Sequence, residues 1–189
     1  MQKSSKLFLT ILIASFIVAG CTQQQQQQAE EEPTPSTNFT NAVAVVHPTE
    51  GNSVSGTVHL EQTAEGVQVT AELTGLSEGR HGFHIHQYGD CTASDGTSAG
   101  GHYNPAGNDH GAPTQDNRHV GDMGNIVADS EGNATINYTD PVIELNGPSS
   151  IIGRGIVVHG GEDDLESQPS GAAGPRVGCG VIGVANTSQ

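Results

Sequence analysis

Seven residues with metal-binding side chains lie in the middle of the chain, in glycine-rich surroundings. They are His84, His86, His102, His110, His119, Asp122 and His159. Imidazole nitrogen is a common ligand of copper and of zinc, and a carboxylate among several histidines favours zinc. These residue types predict a site for two metal ions, and redox chemistry becomes available if one of the two is copper.

The spacing of these residues suggests how some of them converge. His84 and His86 are separated by one residue, and side chains two positions apart in a β-strand leave the same face about 7 Å apart. His159 ends a second apolar segment and could supply a third nitrogen from a neighbouring strand. The remaining four ligands lie in a long polar segment and at its exit, where the backbone can fold around a second ion.

The elements that must position these residues are short strands. From Asn41 onward, β-branched runs alternate with glycine and asparagine, and no stretch of about twelve residues has a helical stripe. The eight predicted strands are 42–47, 54–61, 67–73, 82–88, 125–128, 134–138, 155–159 and 180–185. Short strands separated by turn residues predict an all-β fold, either an antiparallel sandwich or a barrel.

Two connections interrupt the regular strand spacing. Segments 89–117 and 160–178 are too long and too polar to be simple turns. Long ordered loops in compact domains are usually functional, and most of the candidate ligands lie in or beside these two. We therefore expect the two loops to build the site.

Residues 1–20 have the features of an export signal. Lys3 and Lys6 precede an apolar run of 13 residues, and small residues come before Cys21. The run is shorter than the about 20 residues needed to span a bilayer, so a permanent transmembrane anchor is the weaker alternative. The position of the cysteine resembles a bacterial lipobox, which implies cleavage before Cys21 and lipid attached to its sulfur.

The segment that follows predicts a flexible linker. Residues 22–40 include six consecutive glutamines, three glutamates and two prolines, with almost nothing apolar to bury. We therefore divide the chain into a lipoprotein signal peptide at 1–20, a lipidated cysteine with a flexible linker at 21–40, and a metal-binding domain at 41–189.

Two cysteines remain if Cys21 carries lipid. Cys91 and Cys179 are then available to form one disulfide in an oxidising compartment, and two buried free thiols are the alternative. The bond would close a loop of nearly 90 residues. In the chain-entropy model such a closure contributes on the order of 4–5 kcal/mol to stability.

The charge of the chain excludes one class of partner. Beyond the predicted signal the only permanent cations are four arginines, against 21 acidic residues. Such a surface repels nucleic acid and anionic lipid headgroups, so we expect no polynucleotide partner. Membrane attachment would then depend on the lipid on Cys21.

Five motifs carry a resemblance to a known family. They are HGFHIH at 81–86, SAGGHYNP at 98–105, RHVGD at 118–122, VVH at 157–159 and GCGVIG at 178–183. Together they resemble copper/zinc superoxide dismutase over about residues 42–185. The resemblance implies a β-sandwich architecture, here an eight-stranded antiparallel Greek-key barrel or sandwich with two long functional loops.

The resemblance also implies a role for each candidate ligand. Copper would take His84, His86, His102 and His159. Zinc would take His102, His110, His119 and Asp122. His102 would thus be shared, as an imidazolate with one nitrogen on each metal. Asp163 would accept hydrogen bonds from the outer nitrogens of two of the histidines, His84 and His110, and fix the orientation of their rings.

The reaction implied is the disproportionation of superoxide to dioxygen and hydrogen peroxide. A redox-cycling copper would do the electron transfer, while zinc orients His102 and tunes its proton affinity. Arg176 would guide and hold the anionic substrate. Because 162–174 contains no lysine and is shorter than in animal enzymes, we expect Arg176 and the metals alone to attract superoxide.

Several alternatives stay open at this point. The chain could be a metal-binding envelope lipoprotein without enzymatic activity that buffers or delivers copper and zinc. A copper-only relative is disfavoured because the whole zinc set is present. The implied location is the bacterial cell envelope, lipid-anchored on the periplasmic or extracellular face, where the enzyme would protect the envelope. The sequence leaves monomer and homodimer open, and no large apolar strand face stands out.

Overall fold

A computed structural model of the protein describes residues 38–186. The strands in this part are β1 (Asn41–Pro48), β2 (Ser55–Thr63), β3 (Gly66–Thr74), β4 (Gly79–His86), β5 (Asp122–Ala128), β6 (Ala134–Asp140), β7 (Gly155–His159), β8 (Arg176–Val181) and β9 (Gly183–Val184). One short 3₁₀ helix, Thr97–Ala99, lies between β4 and β5. The predicted signal peptide, the linker and Cys21 lie outside the described residues.

The strands form a closed antiparallel barrel. Their order is β2-β3-β6-β5-β4-β7-β8-β1, and pairing of β1 with β2 closes the circle. The connections from β3 to β4 and from β6 to β7 join strands that are not neighbours, which is a Greek-key arrangement. The predicted all-β, eight-stranded fold is confirmed, with the two-residue β9 as a short continuation of the last strand.

The last strand begins earlier than its sequence pattern predicts. We expected 180–185, whereas β8 starts at Arg176 and the pairing breaks at Ile182 before β9. Arg176 and Val177 are half-buried and are followed by glycines, so the apolar pattern that marks a strand is weak there. The earlier start places Arg176 opposite His159 of β7.

Alternating apolar residues form the barrel core. In β3, Val67, Val69, Ala71 and Leu73 are at most 1% exposed, while the intervening polar residues face outward. Burying a Val or Leu side chain contributes about 1.5–3 kcal/mol. A slip of one residue would turn this apolar face to water, so the core fixes the strand register.

Strands β4 and β7 differ from the others because both of their faces are buried. Phe83 and Ile85 point into the barrel core, whereas His84 and His86 point to the opposite face, under the long loops. His159 lies on that same outer side at the end of β7, which pairs with β4. The barrel wall therefore presents three histidines to the space beneath the loops.

Three long connections surround the barrel. The segments 87–121 and 160–175 correspond to the two predicted loops, 89–117 and 160–178, and they cover the histidine-bearing side of β4 and β7. The third, 141–154, did not stand out in the sequence. Its side chains Ile143, Leu145 and Ile151 are at most 1% exposed and belong to the core, so this connection closes the barrel.

A disulfide joins the first long loop to β8. Cys91 and Cys179 are bonded, with 5.8 Å between their Cα atoms, which confirms the predicted pairing. The bond holds the first loop against the strand that begins with Arg176. Within residues 38–186, no helix is long and apolar enough to cross a membrane.

Candidate metal centre

Two clusters of ligand side chains lie beneath the long loops. The first cluster is His84, His86, His102 and His159, and the second cluster is His102, His110, His119 and Asp122. Within each cluster the candidate ligand atoms lie within 4.8 Å of one another, and every member is buried. The structure thus brings together all seven residues that the sequence singled out.

In the first cluster, hydrogen bonds fix the direction of each ring. Nδ1 of His86 lies 2.9 Å from the carbonyl oxygen of Gly100, and Nδ1 of His159 lies 3.1 Å from that of Gly174. His84 uses its other nitrogen, Nε2, which lies 2.7 Å from Oδ2 of Asp163. The three remaining nitrogens therefore point inward, and Nε2 of His86 and of His159 are 3.4 Å apart.

In the second cluster, three imidazoles face one carboxylate oxygen. Oδ1 of Asp122 lies 2.7 Å from Nδ1 of His102, 2.9 Å from Nδ1 of His110 and 3.1 Å from Nδ1 of His119. Oδ2 of Asp122 accepts hydrogen bonds from the backbone N–H groups of Gly111 and His119. Three nitrogens and one oxygen around a common point are the ligand set of a tetrahedral zinc site.

His102 belongs to both clusters. Its Nδ1 faces Asp122, while its Nε2 is buried and has no hydrogen-bond partner among the described residues. Nδ1 of His84 in the first cluster is also buried without a partner within 38–186. Unsatisfied buried polar atoms cost about 1–3 kcal/mol each, and a bound ion would satisfy both of these. The residues present therefore fit a pair of metals.

The protonation states of three histidines in the first cluster and of Asp122 suit metal binding. Burial lowers the pKa of His84 to about 4 and that of His159 to about 3, and it also holds the pKa of His86 well below the usual value. Burial acts to raise the pKa of Asp122, but hydrogen bonds with His102 and His110 lower it far more. Neutral imidazoles and an ionised carboxylate are the forms that bind metals.

Asp163 connects the two clusters. Its Oδ2 lies 2.7 Å from Nε2 of His84, and its Oδ1 lies 2.9 Å from Nε2 of His110. The backbone of Asp163 is in turn held by two hydrogen bonds with the Asn125 side chain. A Cβ at Gly171 would collide with Oδ1 of Asp163, so glycine is required there. One rigid carboxylate thus orients a ring in each cluster.

The two carboxylates that contact His110 change its pKa in the metal-free protein. Burial acts to lower the pKa of His110, but hydrogen bonds with Asp122 and Asp163 outweigh it and raise the pKa to about 9.

Gln168 is a positioning residue that sequence reasoning missed. Its Nε2 donates to the carbonyl oxygen of His110 at 2.9 Å, and its Oε1 accepts from the His110 backbone N–H at 2.8 Å. The amide side chain therefore clamps the first long loop to the second. In the sequence, only its position in a predicted functional loop pointed to Gln168, because a glutamine side chain is not a typical ligand of copper or zinc.

Arg118 holds the backbone that carries two members of the second cluster. Its Nη2 donates to both carboxylate oxygens of Asp140 at 2.7 Å, and its Nη1 donates to the carbonyl oxygens of His119, Val120 and Asp122. The residue as a whole is 1% exposed. Arg118 is therefore a structural residue that holds the backbone around two candidate ligands.

Two neighbouring basic residues also have structural partners. Nδ1 of His81 lies 2.9 Å from the carbonyl oxygen of His159, outside both clusters. Arg80 lies in β4 and pairs with Glu162 at 2.7 Å. Both belong to the scaffold of the centre.

An open cavity leads to the first cluster. His86, His102 and His159 line it together with Thr97, Ser170 and Arg176. Nη1 of Arg176 donates to the carbonyl oxygen of Gly96 and Nη2 to that of Gly100, both at 2.5 Å. A small anion entering this cavity would therefore meet the guanidinium beside the histidines.

Comparison with known proteins supports this description. The family described as copper/zinc superoxide dismutase (SODC) matches residues 54–182. A protein named extracellular superoxide dismutase [Cu-Zn] from Brugia pahangi is 46% identical over 157 residues, which cover 78% of each chain. A superoxide dismutase [Cu-Zn] from Onchocerca volvulus is 48% identical over 160 residues, which cover 79% of this chain and 99% of the relative.

A solved structure agrees with the barrel. The crystal structure of a protein called the clock protein EA4 superposes with a TM-score of 0.74 at 40% sequence identity. The match covers 82% of this chain and all of the other. Three observations lead to one conclusion: the two buried ligand clusters, the cavity lined by Arg176 and three of the histidines, and these sequence matches. The chain belongs to the copper/zinc superoxide dismutase family, is an enzyme of that family, and uses copper and zinc as cofactors.

Proposed function

We propose that this chain removes superoxide outside the cytoplasm, converting two superoxide anions and two protons to dioxygen and hydrogen peroxide. The observation that carries the proposal is the cavity in which Arg176 lies beside the histidines of the first cluster. Copper held there would supply the one-electron redox chemistry, and zinc in the second cluster would be redox-inert.

The proposed ligand assignment follows from the ring orientations. The first cluster would hold copper and the second cluster zinc, because only the second contains a carboxylate. His102 would bridge the two ions, with Nδ1 toward zinc and Nε2 toward copper. Its Nδ1 is directed at the carboxylate of Asp122 and its Nε2 has no partner within residues 38–186, which supports this assignment.

The protein's own residues would bind the anion and move one proton. We infer that Arg176 holds superoxide by charge and by hydrogen bonding, since its guanidinium is already fixed by Gly96 and Gly100. Nε2 of His102 would take up one proton in each cycle and deliver it to the second superoxide. The other proton would come from solvent through the open cavity.

The experiment compares His102→Ala with His59→Ala after loading with copper and zinc. His59 is exposed on β2 and lies outside both clusters, so it is the matched histidine control. We expect superoxide decay to be lost in His102→Ala while part of the copper is retained, and to be unchanged in His59→Ala. Full stoichiometric metal uptake by the wild-type protein without superoxide decay would contradict the proposal.

We also propose that the protein is exported and anchored to the bacterial cell envelope by lipid on Cys21. The Cys91–Cys179 disulfide and the word "extracellular" in the name of one relative support export. The lipobox-like sequence before Cys21 supports the lipid. Labelling of cells with a radioactive fatty acid should mark the wild-type chain but not Cys21→Ser, which should leave the membrane fraction. Equal labelling of both chains would exclude this site.

A homodimer is the quaternary state that we propose. Val45 and Val181 are 50% and 43% exposed and lie opposite each other by extension of the β1–β8 register. Tyr88 is 52% exposed, and a Cβ on the adjacent Gly89 would lie 2.9 Å from Cγ1 of Val181. Three segments thus contribute to one outward apolar patch, which is why the sequence pattern did not show it. A second copy is the occupant that we favour because the patch can pair with itself about a twofold axis.

Sedimentation velocity tests the dimer. We expect a dimer at micromolar concentration for the wild-type protein and a monomer for Val45→Asp. Val127→Asp is the matched control, because Val127 is equally exposed but lies on β5. A wild-type monomer at these concentrations would contradict the proposal.

A further inference from the structure

Asp95 and Arg176 line the same surface cavity, next to the entrance of the metal centre. The other lining residues are Thr49, Glu50, Asn52, Thr97, Gly174 and Pro175. Thr97 and Arg176 also line the cavity that reaches His86, His102 and His159. An anion that approaches Arg176 from this side therefore enters a cavity that a carboxylate also lines.

Hydrogen bonds hold the Asp95 carboxylate in place. Its Oδ1 accepts from the backbone N–H of Thr97 at 3.0 Å and from the Thr97 hydroxyl at 2.7 Å. The next residue, Gly96, accepts a hydrogen bond from Nη1 of Arg176 through its carbonyl oxygen. The negative charge thus occupies a fixed position in the cavity that Arg176 also lines.

The charges of the two side chains interact. The hydrogen bonds from Thr97 are the main cause of the lowered pKa of Asp95, and Arg176 lowers it further. Burial lowers the pKa of Arg176, while Asp95 acts in the opposite direction. The carboxylate is exposed, so it also acts on ions in the solvent around the cavity.

We propose that Asp95 limits the rate at which superoxide reaches the centre, because its carboxylate offsets part of the attraction of Arg176. The inference rests on the proposed role of Arg176 as the cation that guides the substrate. One unit charge roughly 10 Å from the path of an anion in water changes the local anion concentration by about twofold at low ionic strength. Fixed charges at a cavity mouth act on association rates in this way.

The chain contains a matched control for Asp95. Asp90 lies in the same loop, is also exposed, and accepts the equivalent pair of hydrogen bonds from the N–H and hydroxyl of Thr92. It does not line either of the two cavities that contain Arg176. Replacement of either aspartate by asparagine removes one negative charge and leaves an oxygen that accepts both hydrogen bonds.

The experiment measures kcat/KM for superoxide against ionic strength in the copper- and zinc-loaded wild-type protein, Asp95→Asn and Asp90→Asn. We expect about a twofold increase for Asp95→Asn at low ionic strength, and we expect the increase to disappear in high salt. Asp90→Asn should match the wild-type protein. Equal rates for Asp95→Asn and wild type, or the same increase for Asp90→Asn, would overturn the proposal.

Two further measurements separate the possible causes of a negative result. Titration with azide, followed by visible absorption of the bound copper, should give about twofold tighter anion binding for Asp95→Asn. Unchanged azide affinity would also overturn the proposal. Arg176→Gln tests the proposed guiding residue itself. If Arg176→Gln is slow while Asp95→Asn equals wild type, the proposed function stands and only the inference about Asp95 fails.

Discussion

Arg176 and His86 share one hydrogen-bond acceptor, the carbonyl oxygen of Gly100. Nη2 of Arg176 donates to this oxygen at 2.5 Å, and Nδ1 of His86 lies 2.9 Å from it. Gly100 has a positive φ of 75°, and a Cβ there would lie 2.9 Å from the Tyr88 ring. A single backbone group therefore fixes both the proposed substrate-binding arginine and a candidate copper ligand.

Removal of the arginine should slow substrate capture. We expect Arg176→Ala to lower kcat/KM by about tenfold or more and to weaken its dependence on ionic strength. Arg176→Lys should be intermediate, because lysine keeps the charge but lacks the planar fork that donates to two carbonyl oxygens. Superoxide decay between low and high salt is the measurement.

Arg80→Ala is the control for net charge, since Arg80 is an exposed arginine that pairs with Glu162 and does not line the cavity. Unchanged kinetics in Arg176→Ala, or an equal loss in Arg80→Ala, would contradict the proposed guiding role.

The carboxylate between the two clusters should affect metal affinity. Asp163→Asn leaves one acceptor oxygen for the two rings of His84 and His110 that now share a carboxylate. We expect zinc affinity, measured by competition with a chelator, to fall about 10–100-fold. Asp164→Asn is the adjacent control, because the Asp164 carboxylate is exposed and accepts its hydrogen bonds from Glu166 and Ser167 in the same turn. Similar losses in both variants would show that Asp163 has no special role.

The disulfide should stabilise the folded protein. Replacing both Cys91 and Cys179 by serine should lower the free energy of unfolding of the metal-free protein by about 4–5 kcal/mol in the chain-entropy model, given a separation of 88 residues. Guanidinium unfolding followed by circular dichroism measures this difference. Reductant should destabilise the wild-type protein to the same extent and leave the serine variant unchanged. A loss below about 1 kcal/mol, the size of an ordinary point substitution, would refute the prediction.

The buried ion pair behind the second cluster should be sensitive to loss of one partner. Arg118→Met leaves Asp140 buried without its cation and frees the carbonyl oxygens of His119 and Asp122. We expect a loss of about 3–5 kcal/mol in unfolding free energy. The double variant with Asp140→Asn should recover part of it, because the uncompensated charge is then gone.

The exposed pair of Arg80 and Glu162 provides the comparison, and Arg80→Met should cost less than about 1 kcal/mol. Equal stability of Arg118→Met and Arg80→Met would disprove the structural role of the buried arginine.

The sequence predicted the fold and the ligand set because both depend on local patterns. Alternation along β3 marks one apolar face, and the spacing of His84 and His86 sends both rings to one side of β4. The disulfide followed from counting cysteines, and the ligand assignment followed from motifs of the family. Each of these patterns can be recognised from a few neighbouring residues or from the residue types alone.

The remaining features depend on contacts between distant segments, which a single sequence does not encode visibly. Gln168 holds the backbone of His110, 58 residues away, through an ordinary amide. The apolar patch combines Val45 and Val181 from separate strands that the pairing of β1 with β8 places side by side. The start of β8 at Arg176 depends on its pairing with β7 rather than on its own apolar pattern.

The first long loop contains both a cysteine of the disulfide and the carbonyl group that orients a candidate copper ligand. Cys91 ties this loop to β8, while Gly100 in the same loop orients His86. A loop that is already closed covalently loses less chain entropy when it adopts the geometry for an ion, so the oxidised chain should bind metal more tightly. Thermodynamic reciprocity then requires that bound metal makes the disulfide harder to reduce by the same factor. Maturation would therefore be a mutually reinforcing pair of events, and the chain that lacks both the disulfide and the metals would be the least durable form.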